Sequence, residues 1–230
     1  QPKASRYLDQ DFNRLWDKAR LDSMERSREL DRARELRSLI ESADWLLDLH
    51  SMQHDAEPLL LAGLTPKGVE LARAMGYPRL IVTDGGHTNG ARLRDFGAFA
   101  ESDHPQTAML VECGQHWARS SIDIAITSCR QFLEAIDLVE PALLDRLGRA
   151  PRTVPQQVIE VTEAMTVQSG PFRFSRTVRG IDVVPKAGTV IAFDGDIPVT
   201  TPYDNCVLVM PSKRLTRGLT AVRLGRFIDS

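Results

Sequence analysis

Long apolar runs are missing from this 230-residue chain. None approaches the roughly 20 residues that a membrane-spanning helix requires, so a membrane partner is not expected. Cysteine is scarce. Cys113, Cys129 and Cys206 are odd in number and far apart, which excludes a disulfide framework and a Cys-x-x-Cys metal pattern and suits a reducing cytoplasm. Excess charge of either sign is absent too. The 29 Lys and Arg nearly balance the 31 Asp and Glu, for a net charge of −2, so nothing draws the chain to phosphate backbones and no nucleic-acid partner is expected. Internal repeats and low-complexity tracts are lacking. There is no initiator methionine, and Gln1-Pro2-Lys3 reads as the interior of a longer polypeptide.

What is present is a 42% apolar composition, enough for a substantial core. RYLDQDFNRLWD, from Arg6 to Asp17, is polar and non-periodic with aromatic anchors. The spacing of Leu30, Ala33, Leu36, Leu39 and Ile40 predicts an amphipathic helix over Met24 to Ser42, with Asp22 or Ser23 as its cap. Further helices are expected over Thr65 to Met75, with Pro66 in the first turn, and over Ser120 to Val139. Apolar strands are expected at Trp45 to Leu49, Arg79 to Thr83 and Ala108 to Glu112. This alternation predicts an α/β fold, a mostly parallel mixed sheet flanked by helices, over residues 1–150. After Gly148 to Pro155 the character changes. Gln157 to Val167, Arg179 to Val184, Thr189 to Phe193 and Cys206 to Met210 are short β-prone segments between Gly and Pro turns, and they predict a small all-β module over 151–230.

Two of the predicted strands end on chemically competent side chains. His50 follows WLLDL and Glu112 follows AMLV, and in open α/β sheets functional groups gather at the carboxyl ends of strands. A neutral imidazole suits Zn2+, and Asp48 or Asp55 could orient its other nitrogen. Glu112 could serve as a general base. Equally, His50 could be a hydrogen-bonded strand-end histidine and Glu112 half of a surface ion pair. Arg6, Asn13 and Arg14 form a third cluster suited to gripping carboxylates. The alternative is a solvated loop in which Asp9 and Asp11 pair with the arginines.

Taken together, these segments resemble the succinylglutamate desuccinylase/aspartoacylase family, zinc deacylases related to the zinc carboxypeptidases. The residues that carry the resemblance are RYLDQDFNR, Asp48-Leu49-His50, LVECG from Leu110 to Gly114, and Pro202-Tyr203. It implies a zinc carboxypeptidase-like fold and hydrolysis of the amide of a small acidic N-acyl amino acid, of the N-succinylglutamate or N-acetylaspartate kind. It also implies one Zn2+ per complete chain with His50 as a ligand, and Glu112 as general base and acid. Arg6 would polarise the scissile carbonyl, Asn13 and Arg14 would hold the substrate's α-carboxylate, and Tyr203 would be a substrate contact. Arg92 or Arg94, in GARLRDF, would read a second acidic group. The alternatives are a zinc carboxypeptidase for short peptides and a non-catalytic dicarboxylate-binding relative. Homo-oligomer formation is left open.

The sequence departs from the family in one respect. The family's other two protein ligands lie in a His-x-x-Glu turn ahead of the arginine stretch, and no such motif occurs here. Those ligands are expected upstream of Gln1. Residues 1–230 alone are then expected to bind zinc weakly and to expose an edge of the sheet. His54, His87, His104 and His116 do not match the missing ligands. His54 and His116 are read as lining the pocket and His87 as part of a glycine-rich connection. Cys113, without a matched His-Asn pair, is not read as a nucleophile.

Overall fold

The computed structural model describes residues 7–53, 55–86, 90–152 and 154–228. Eleven strands are found among them. Eight form one sheet in the order β1 (Trp45–Met52), β4 (Thr107–Gln115), β2 (Leu59–Leu61), β3 (Leu80–Thr83), β5 (Gln157–Thr166), β11 (Thr220–Ile228), β10 (Cys206–Val209) and β7 (Ile181–Val184). The other three, β6 (Phe172–Phe174), β8 (Val190–Asp194) and β9 (Ile197–Thr200), make a small antiparallel sheet. The first half of the large sheet is the α/β part. There β1 with β4, β2 with β3, and β3 with β5 are parallel, while β2 runs antiparallel to β4. From β5 to β7 every pairing is antiparallel.

The helices are α1 (Lys18–Leu21), α2 (Arg28–Glu41), α3 (Pro66–Met75), α4 (Ser120–Ala135) and α5 (Pro141–Arg146). None of the described helices is long and apolar enough to cross a membrane. The amphipathic helix expected from Met24 begins later, at α2. Ser27 is its cap, its side chain accepting from the Leu30 N–H, so neither Asp22 nor Ser23 fills that role. α3 begins on Pro66 as expected and ends on Gly76, whose φ of 65° closes the helix in the left-handed region.

Alternation along the strands divides the core in two. Leu60, Ile81, Met109, Val111 and Cys113 face α3 and α4. Leu59, Leu61, Leu80, Val82, Leu110 and Ile159 face the other way, toward Val207 and Val209 of β10. The expected boundary near residue 150 separates two kinds of strand pairing, but the central sheet runs across it. Four strands beyond it, β5, β7, β10 and β11, extend that sheet, and β6, β8 and β9 alone form the second one.

β1 lies at one edge of the large sheet. It is apolar, yet Trp45 and Leu49 remain 42% and 43% exposed, and the α4 residues Ile122 and Ile126 are exposed on the neighbouring helix. An apolar edge strand is a template for pairing with another chain. Leu49→Lys is therefore expected to reduce concentration-dependent self-association in sedimentation velocity, with little change in thermal midpoint because the side chain is half in solvent. Identical association by wild type and variant would clear this edge.

Candidate functional site

The site is set by the register between β1 and β4. His50 is the direct partner of Glu112, and Asp48 of Leu110. Partners in parallel strands share a face, so His50, Asp48 and Glu112 lie on the face opposite the helices. Both strands run further than the sequence suggests, to Met52 and Gln115. Just past Glu112 the register shifts by one residue in β4, where Gly114 has a φ of 98°. A bulge of this kind re-aims the chain next to the functional pair.

His50 Nε2 lies 2.9 Å from Asp48 Oδ1. A carboxylate so placed orients the imidazole by accepting its Nε2 proton, as carboxylates do for histidines that serve as metal ligands. Asp48 thus takes the orienting role that the sequence left open between Asp48 and Asp55. Glu112 is only 8% exposed. His116 Nδ1 is 2.7 Å from Ser51 Oγ, and its backbone N–H donates to Met52, so it braces the end of β1 beside His50.

Asp11, Phe12, Asn13, Asp48, His50 and Leu93 line a cleft of about 190 Å³. The N-terminal stretch reaches it by a run of specific bonds. The Glu29 carboxylate accepts from the backbone N–H groups of Leu8, Asp9 and Gln10. Asp9 accepts from the Arg28 N–H, and Asp11 caps the turn Phe12–Arg14 by accepting from the Asn13 N–H. Trp16 is buried between Phe12 and Phe96, with ring centroids 5.5 Å from each. The Leu93 N–H donates to Asn13 Oδ1 at 2.9 Å. Arg14 Nη1 donates to the Asn13 carbonyl at 2.6 Å.

Beneath the cleft lies a buried charge network. Arg92 bonds Asp95 Oδ2 at 2.6 Å, Asp84 Oδ2 at 3.1 Å and the Asp84 carbonyl at 3.1 Å. Arg94 bonds Asp95 Oδ1 at 2.5 Å and the carbonyls of Ala62 and Ala108 at 2.9 and 3.0 Å. Arg223 of β11 reaches Asp84 Oδ2 at 2.9 Å. Burial opposes the charge on Arg92, but the Asp95 and Asp84 carboxylates outweigh it and raise its pKa. Burial lowers that of Arg94 and Arg223, against the pull of Asp95 and Asp84 respectively; the Glu112 carboxylate also favours the charged form of Arg223.

Of the residues singled out from sequence, His50 and Asn13 share the cleft, Glu112 stands beside His50, and Arg14 is attached to Asn13. Arg92 and Arg94 lie below, committed to protein carboxylates and carbonyls. Tyr203 packs on the core of the C-terminal strands, its hydroxyl 2.6 Å from Thr162 Oγ1. Arg6, His54 and His87 lie outside the described residues. Burial pushes the Cys113 thiol up to about 12, with Glu112 and Cys129 adding to the effect, which disqualifies it as a nucleophile near neutral pH. Phe12, Leu93 and the Asp84–Arg223 pair carry no motif that marks them in the sequence, and Asp11 caps a turn rather than pairing with the arginines of a solvated loop. Arg223 carried a faint signal, as a lone cation within the apolar TAVRL.

His50 fits as one donor to zinc. Among the described residues no group of three His, Cys, Asp or Glu side chains could hold a metal ion, and a catalytic zinc takes about three protein ligands. The described residues therefore do not make a catalytic zinc centre by themselves.

No protein-family model matches the chain, and no curated protein matches it in sequence. Solved structures do match. Succinylglutamate desuccinylase from Vibrio parahaemolyticus superposes with a TM-score of 0.69 at 18% identity, over 99% of this chain and 68% of that one. A succinylglutamate desuccinylase/aspartoacylase from Rhodobacter sphaeroides gives 0.64 at 15% identity, over 96% and 69%. The chain has the desuccinylase fold. Murine aminoacylase 3 shares it, with a TM-score of 0.58 at 18% identity over 98% of this chain and 80% of that one. The fold expected from the sequence is thus the fold observed.

Gly63 tests how tightly the network is built. Its φ is 71°, and a Cβ there would lie 1.8 Å from Arg94 Nη1. Gly76 has a φ of 65° with nothing within 4 Å. Gly76→Ala is expected to cost about 1–2 kcal/mol, the left-handed penalty alone. Gly63→Ala should cost clearly more, because Arg94 must also be displaced from buried partners. Equal losses in chemical denaturation would contradict the packing described.

Proposed function

We propose that this chain is the substrate-handling body of a zinc-dependent deacylase that hydrolyses the amide of a small acidic N-acyl amino acid, releasing a carboxylic acid and a free amino acid. The observation that carries the reading is the pairing of His50 with Glu112 above a cleft that also holds Asn13. The desuccinylase fold supports it. Zinc enters through His50 alone, as one donor of the set.

In this reading Glu112 is the group that moves protons. It takes one from the attacking water and returns it to the leaving amine, a role suited to a carboxylate that is nearly buried yet adjoins the cleft. Arg14 and Asn13 hold the substrate's α-carboxylate at the cleft mouth, and Arg6 polarises the scissile carbonyl. Tyr203 belongs to the proposal as a substrate contact. A non-catalytic dicarboxylate-binding role is the second reading. It is favoured by the lack of a three-donor cluster among the described residues.

The test uses the complete gene product, with metal analysis and assays on N-succinyl-glutamate, N-acetyl-aspartate and dipeptides. Hydrolysis of the N-acyl amino acids is expected. Preference for dipeptides would favour a carboxypeptidase, and dicarboxylate binding without turnover would favour the second reading. Glu112→Gln should retain zinc and lose about 10² to 10⁴-fold in turnover; near-normal activity would remove Glu112 from its role.

Arg14→Lys keeps the charge but not the planar fork. It is expected to lower kcat/KM by about 1.5–3 kcal/mol, the worth of a charged hydrogen bond. An unchanged kcat/KM would return Arg14 to a solvated loop.

A further inference from the structure

Asn13 and Leu93 meet in the cleft, and Leu93 is bracketed by Arg92 and Arg94. We infer that Arg92 and Arg94 are positioning residues: they fix the Leu93 N–H against Asn13 Oδ1 and so turn the Asn13 Nδ2 amide toward the cleft. This rests on the reading that Asn13 touches substrate. It gives the two arginines a different task from the direct reading of a substrate carboxylate.

The argument begins with the amide. A backbone N–H can only donate, so the atom of Asn13 facing Leu93 at 2.9 Å must be the carbonyl oxygen. Asn13 is 9% exposed and lines the cleft, so the end of its amide left for the cleft is Nδ2, a donor suited to a carboxylate. What fixes the Leu93 N–H is the pair of side chains around it. Arg92 and Arg94 are 1% and 2% exposed. They share one carboxylate, Asp95, each taking one of its oxygens. Arg92 anchors to Asp84 just after β3, and Arg94 to the carbonyls of Ala62 just after β2 and Ala108 in β4. The segment is thereby tied to three strands. Turning either guanidinium toward a substrate would strand buried partners, the Asp84 carboxylate for Arg92 and the Ala62 and Ala108 carbonyls for Arg94, which is costly. Gly63 leaves the space that Arg94 occupies, and the Trp16 N–H donating to the Ala91 carbonyl keeps the two segments side by side.

Leu93→Pro isolates the one bond in question. Leu93 is the first residue of its turn, where proline is tolerated. Arg92 before it already has φ −80° and ψ 156°, the extended conformation that a residue preceding proline adopts. Leu93→Ala is the control that loses the side chain and keeps the N–H. Binding of N-acetyl-L-aspartate is measured by calorimetry in the complete gene product carrying Glu112→Gln, so that the ligand is not consumed during the titration. Leu93→Pro and Asn13→Ala should each weaken it on the order of 10- to 100-fold, the range of a charged hydrogen bond, and Leu93→Ala by much less. The double variant should be little worse than either single one, because both remove the same interaction. Arg94→Lys should lose part of the same affinity. Additive losses, or equal losses in Leu93→Pro and Leu93→Ala, would overturn the inference.

A wild-type protein that binds no N-acyl amino acid would instead sink the functional reading, and the positioning is then decided by ¹⁵N relaxation of the Asn13 side-chain amide. It should be rigid in wild type and mobile in Leu93→Pro and Arg94→Lys. A mobile amide in wild type, or one indifferent to these changes, overturns the inference.

Discussion

Everything at the site depends on one register, that of β1 against β4. A parallel pair holds its side chains in fixed rows, and here the row joins an imidazole to a carboxylate. Slipping β1 by a single residue would send His50 to the helix side and bring Leu49 into the cleft. The register is held because both faces carry burdens. Leu47 packs on the helix-side core and Leu110 on the opposite one, so a slip would exchange apolar and polar positions across the sheet. The bulge at Gly114 closes the row just beyond Glu112.

The second constraint is the accounting of buried charge. Arg92, Arg94 and Arg223 are three cations, and Asp84 and Asp95 are two anions in contact with them. Glu112, whose field reaches Arg223, brings the group to balance. Charges taken out of water are tolerated only when paired and hydrogen-bonded, and each guanidinium here also bonds a backbone carbonyl: Asp84 for Arg92, Ala62 and Ala108 for Arg94, and Gly86 for Arg223. The network joins the loops after β2 and β3 to β4 and β11. The strands beyond residue 150 therefore help to organise the cleft floor without lining it.

The N-terminal stretch is polar, short of periodicity and still well placed. Its backbone N–H groups are collected by Glu29 at the start of α2, where a carboxylate also complements the helix dipole. Trp16 supplies the apolar anchor. Such a segment is ordered by what it docks against, and its neighbours are the residues around Leu93.

By itself the sequence determined the alternation of strands and helices, the strand-borne His50 and Glu112, and the arginine-rich approach to them, because periodicity, caps and apolar runs are local properties. It missed β2, β6, β9 and β11. Leu59–Leu61 is too short to carry a period, and Thr220–Ile228 interrupts its apolar residues with Arg223, Gly225 and Arg226. It drew a boundary near residue 150 because turn residues cluster there, whereas strand pairing across that point is a long-range matter. Only the tertiary structure decided that His50 and Glu112 share a row, that Asp48 rather than Asp55 orients the imidazole, and that Arg92 and Arg94 are sealed beneath Leu93. The reason is physical: a guanidinium looks the same in sequence whether it faces solvent, substrate or a buried carboxylate, and the choice is made by partners scattered from Ala62 to Arg223.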